Sequence, residues 1–128
     1  MKTLVCHGDS LTAAGELDHR SIWPSLVESK LKISVTNSGI GGDTTGGLLS
    51  RFYPEVVQHR PDAVLIMGGT NDLWWDLDIK LVLANIFTMT CQAEHHDIIP
   101  LVGLPIPMDV EKACTQDCLL YTSDAADD

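Results

Sequence analysis

Ala63-Val64-Leu65-Ile66-Met67 is an unbroken apolar run, opened by Pro61-Asp62 and closed by Gly68-Gly69. Five apolar residues between turn signals suit a strand buried on both faces, as in a parallel sheet; a half-buried strand would alternate. The neighbouring segments change period in turn. Lys2 to Cys6 predicts a first buried strand meeting a turn at Gly8-Asp9. Ser21 to Lys32 predicts a helix, with Ser21 as its cap, Pro24 in its first turn and Ile22, Leu26 and Val27 on one face. Ile33 to Asn37 predicts a second strand, and Gly39 to Gly47 a glycine-rich loop. Leu48, Leu49, Phe52, Val56 and Val57 recur at helical spacing as far as Gln58. Asp76 to Glu94 predicts another helix, and Ile98 to Leu104 a fourth strand interrupted by Pro100. The alternation of strand and helix implies a parallel α/β sheet with right-handed crossovers. At 128 residues, 45% of them apolar and 20% charged, the chain fits one globular domain.

Ligands of such sheets bind beyond the carboxyl ends of the strands. Three segments fall on that edge: Gly8-Asp9-Ser10-Leu11, Gly39-Ile40-Gly41-Gly42-Asp43-Thr44 and Gly68-Gly69-Thr70-Asn71-Asp72. They supply a hydroxyl, backbone N–H groups and a side-chain amide around one concavity. Glycine lets backbone approach a ligand closely, and an Asn amide can donate two hydrogen bonds. A hydroxyl flanked by such donors is what acyl transfer requires, because negative charge develops on the carbonyl oxygen.

On these three blocks the chain resembles the GDSL esterase/lipase family, also called SGNH hydrolases, over roughly residues 3 to 107. The resemblance implies a three-layer, flavodoxin-like parallel sheet with strand order 2-1-3-4 and a fifth strand not represented here. It implies Ser10 as nucleophile, with Gly42, Asn71 and the Ser10 N–H as oxyanion donors; Asp9 itself reads as structural, bonding backbone in the turn, and not as a second catalytic acid. A small acyl ester is the implied partner, with no cofactor or metal. The family's last block, Asp-x-x-His, has no match: His7, His19, His59, His95 and His96 each lack an aspartate three residues earlier. The general base and its aspartate are therefore expected outside this chain, and the chain by itself is expected to be inactive, or an ester-binding domain. Strand four is expected to be an exposed edge, prone to association.

Other signals have plainer readings. The Gly39–Gly47 loop lacks the lysine of a phosphate-binding loop and has Thr44 where a dinucleotide pattern needs glycine. His95-His96-Asp97 suits a solvated helix C-terminus better than a metal site. His7, near Ser10 in sequence, is expected to be structural. Trp74-Trp75 is open to either an acyl pocket or core packing, and Leu104-Pro105-Ile106-Pro107 could shape the cleft. Cys6, Cys91, Cys114 and Cys118 show no metal spacing and read as reduced thiols. With no signal-peptide pattern at Met1-Lys2-Thr3-Leu4-Val5, a cytoplasmic location is expected. A formal charge of −10 argues against nucleic acid or anionic membrane partners, and no apolar run reaches the length of a membrane span.

The segment from Cys118 to Asp128 resembles the translation of a sequencing adapter. On that reading residues 1–117 are a partial hydrolase domain and 118–128 a non-native tail. Without the tail's three aspartates the chain remains acidic, at −7 instead of −10.

Overall fold

A computed structural model describes residues 1–104. The tail beginning at Cys118, and all of Leu104–Pro107 except its first residue, lie outside the described residues. Among the described residues four parallel strands form one sheet in the order β2-β1-β3-β4: β1 Thr3–Gly8, β2 Ser34–Gly39, β3 Ala63–Met67 and β4 Ile99–Val102. Six helices connect them: α1 Ser10–Ala13, α2 Trp23–Leu31, α3 Thr45–Ser50, α4 Phe52–Glu55, α5 Thr70–Trp74 and α6 Ile79–His95. The parallel α/β sheet and its strand order are those expected.

Residues on β1 and β3 alternate between two apolar layers. Val5, Val64 and Ile66 pack with Leu48, Phe52, Val56, Met89, Ala93 and Ile98 beneath α3, α4 and α6. Leu4, Cys6 and Ala63 face the other way, toward Trp23 and Val27 of α2. The result is helix, sheet, helix. Strand β4 pairs with β3 alone among the described residues, and its Ile99, Leu101 and Val102 are exposed. Pro100 is tolerated in β4 because its missing N–H falls on an edge strand.

Four local expectations are corrected. Strand β1 runs to Gly8, two residues past Cys6, so the turn begins only at Asp9. Helix α2 is capped by Ile22 without a side-chain bond, not by Ser21, and Leu26 is exposed while Ile22 is buried. The continuous helix expected from Leu48 to Gln58 is instead α3, α4 and a 3-10 turn at Val57–His59. Pro54 explains the break: it has no N–H for the Ser50 carbonyl, and its ring crowds that carbonyl. Helix α6 starts at Ile79, not Asp76, because Asp78 accepts from the Lys80 N–H as its cap and Asp76 is left-handed, at φ 57°.

Phe52 has no exposed surface and lies at the centre of the larger layer. Phe52→Ala should therefore cost ~3–5 kcal/mol, whereas Leu26→Ala should change stability by under ~0.5 kcal/mol. Urea unfolding of both variants checks this; equal losses would contradict the assignment of the core.

Candidate active site

The pairing register places the three sequence blocks side by side. Gly8 of β1 is aligned with Gly39 of β2 and with Met67 of β3. Ser10 thus lies two residues beyond one level of the sheet, Gly42 three beyond and Asn71 four beyond. All three leave the same carboxyl edge.

Ser10 is exposed and is the first residue of α1, where a backbone N–H has no acceptor within the helix. The cap is Asp9, whose Oδ1 accepts from the Leu11 N–H at 2.9 Å. The serine hydroxyl is therefore not the helix cap. Asp9 is buried, which pushes its carboxyl above the ordinary carboxylate range against the opposing pull of backbone bonds.

The loop after β2 turns back toward this point. Ile40 N–H donates to the Gly8 carbonyl at 3.0 Å, and a Cβ on Gly41 would stand 4.0 Å from the Ser10 Cβ. Gly42 has φ +78° with open space on its side-chain face. Glycine is needed there for backbone conformation, not for room. Asn71, in the first turn of α5, donates from Nδ2 to the Asp43 carbonyl at 2.8 Å. This bond joins the second and third blocks directly.

Beneath them lies a second tie that sequence reasoning missed. Asp72 is buried; its Oδ1 accepts from the Thr45 N–H at 2.8 Å and its Oδ2 from the Thr45 hydroxyl at 2.7 Å. Asn85 of α6 donates to the same hydroxyl at 3.0 Å. Arg51 was also missed. Its Nε donates to Asp43 Oδ2 at 2.8 Å and its Nη2 to the Gly8 carbonyl at 2.9 Å. The available signal was that Arg51 is the sole Lys or Arg between Lys32 and Arg60, set among apolar residues with Glu55 four positions later.

His7 is wholly buried in β1. Its Nε2 donates to the Leu48 carbonyl at 2.8 Å, and its Nδ1 lies 3.1 Å from the Ser38 hydroxyl. The single proton of that hydroxyl goes to Glu55, which holds the Glu55 carboxyl below its usual range. His7 is structural, as expected, and burial holds its pKa below 6.5. His95 ends α6 and His96 caps it, each ring set edge-on to the other. Among the described residues, no histidine is hydrogen-bonded to Ser10. Trp74 and Trp75 are 55% and 70% exposed, so core packing is not their role. A hollow of about 700 Å³ lies away from this edge, lined by Tyr53, Arg60, Asp62 and His96. No helix of the described residues is long and apolar enough to cross a membrane.

A serine, a glycine loop and an asparagine thus share the carboxyl edge of a 2-1-3-4 parallel sheet. The sequence profile of the GDSL-like Lipase/Acylhydrolase family matches residues 6–120. The chain belongs to that family. It is 37% identical over 91 residues to an arylesterase of Vibrio mimicus, covering 67% of this chain and 46% of that protein. It is 40% identical over 72 residues to the thioesterase 1/protease 1/lysophospholipase L1 of Escherichia coli K12, covering 55% and 35%. The chain thus spans less than half the length of either relative. Its fold superposes on the crystal structure of TesA with a TM-score of 0.87, at 27% identity, covering 98% of this chain and 74% of that one.

Burial of neutral His7 has a consequence for stability. Unfolding releases the ring to take up a proton near pH 6.5, which the folded chain resists. The unfolded state binds more protons just below that pH, so this stabilisation is complete above pH 6.5 and is lost as pH falls toward the lowered folded value. The urea midpoint should fall between pH 7 and pH 5, and fall less in His7→Gln; parallel slopes would contradict it.

Proposed function

We propose that the complete protein hydrolyses carboxylic esters, thioesters included, through an acyl-serine intermediate. In this reading Ser10 Oγ attacks the acyl carbon. The N–H groups of Ser10 and Gly42 and the Asn71 amide receive the developing oxyanion. The observation that carries it is the register that sets Gly39, Gly8 and Met67 level. It directs a hydroxyl, a left-handed glycine and a side-chain amide to one edge, where fixed dipoles can meet charge as it forms. The names of the relatives, an arylesterase and a thioesterase/lysophospholipase, support an acyl substrate. The acidic balance of the chain supports a small ester over nucleic acid as the partner. Cys6 and Cys91 form no disulfide among the described residues, which fits a reducing, cytoplasmic location.

A second reading concerns this chain alone. Its five histidines lack the Asp-x-x-His pattern, and His7 is committed to Leu48 and Ser38. We infer that the chain holds a nucleophile and an oxyanion site but no general base. Loss of a triad member leaves about 10³–10⁴-fold catalysis over water.

Release of p-nitrophenol from p-nitrophenyl acetate tests both readings. The 128-residue chain should show slow turnover that drops at least ~10-fold in Asn71→Ala, one lost oxyanion donor costing about 10²–10³ where measured, and changes little in Ser10→Ala, because catalysis without the base comes from the oxyanion site and binding. Equal rates for the parent chain and Asn71→Ala would overturn the oxyanion site. Turnover above ~1 s⁻¹, the lower end of ordinary enzyme rates, would overturn the missing base.

A further inference from the structure

We propose that Arg51 is a positioning residue for this site: its guanidinium fixes the gap between the nucleophile turn and the oxyanion loop. The inference rests on the ester-hydrolase reading and extends it to a residue outside the three sequence blocks. Arg51 follows α3, and its side chain is 13% exposed. Nη2 donates to the Gly8 carbonyl at 2.9 Å, two residues before Ser10. Nε donates to Asp43 Oδ2 at 2.8 Å, one residue after Gly42. Nη1 donates to the Ser38 carbonyl at 2.9 Å and also meets the Ser38 hydroxyl and Glu55. One planar group therefore grips the ends of β1 and β2 and the loop that follows β2.

Asp43 passes that restraint on. Its carboxylate is held at Oδ1 by the Thr44 N–H, at 3.0 Å, as well as at Oδ2 by Arg51. Its carbonyl accepts from Asn71 Nδ2. Moving Asp43 would shift the Gly42 backbone on one side and release the Asn71 amide on the other. Asp43 fits because position 47 is glycine: a Cβ there would lie 1.8 Å from Asp43 Oδ1. A lysine at 51 would keep the charge but not the fork, since an ammonium is a point donor and cannot span Gly8 and Asp43 in one plane.

The test reads tetrahedral geometry instead of turnover, so it does not need the general base. Phenylboronic acid forms an anionic tetrahedral adduct with a serine oxygen, the hydroxyl proton passing at equilibrium to the buffer, and ¹¹B NMR reports it. The parent chain should bind with a tetrahedral signal that Ser10→Ala removes. Arg51→Lys should weaken that adduct at least tenfold while remaining folded by circular dichroism. Gly47→Ala, which displaces the Asp43 carboxylate without touching Arg51, should weaken it in the same way. Alanine is the better helix former, so this second variant should keep the fold if Arg51→Lys does not. A folded Gly47→Ala or Arg51→Lys chain that binds as tightly as the parent would overturn the positioning role. An adduct that survives in Ser10→Ala would overturn the nucleophile assignment, and this inference with it.

Discussion

Strand β1 is hydrogen-bonded on both sides, to β2 through Gly8–Gly39 and to β3 through Gly8–Met67. Each later feature of the site depends on that double parallel pairing. A parallel ladder cannot slip by one residue without turning Val5, Val64 and Ile66 out of the larger apolar layer. Burial of those side chains thus fixes the level at which the three loops leave the sheet.

The polar contacts then convert a shared level into a geometry. Asp72 bonds both the backbone and the hydroxyl of Thr45, and Asn71 bonds the Asp43 carbonyl. Arg51 joins Asp43 to Gly8. Charges and amides taken out of water must be fully paired to be tolerated, and here each pairing spans two of the three loops. Satisfying the buried groups and positioning the loops are one process.

Some of this was legible in the sequence and some was not. The uninterrupted run at 63–67, between Asp62 and Gly68, coincides with β3 residue for residue, because a strand buried on both faces needs no alternation. The helix expected across 48–58 fails for a local reason, Pro54, which its apolar spacing concealed. The cap at the Ser10 turn belongs to Asp9, since β1 continues two residues further than its apolar content suggested. The loop convergence could be inferred from strand order together with the GDSL, GGDT and GTND blocks. Arg51 and Asp72 could not be given roles, because the partners that tie the loops together, Asp43, Gly8 and Thr45, lie 8 to 43 residues away and are chosen by packing. The exposure of Trp74 and Trp75 follows the turn from α5 into the left-handed Asp76, which hydrophobicity alone does not register.

The central claim is that folding alone brings an exposed Ser10 into an acyl-transfer geometry. Its most direct measurement is to treat the folded 128-residue chain with a fluorophosphonate, imidazole in solution standing in for the absent general base, and map the adduct by mass spectrometry, beside the same chain held in urea. The expected result is one phosphonyl group on Ser10 in the folded chain and none in the unfolded chain. Labelling at another residue, or equal labelling of Ser10 in both states, would contradict the account.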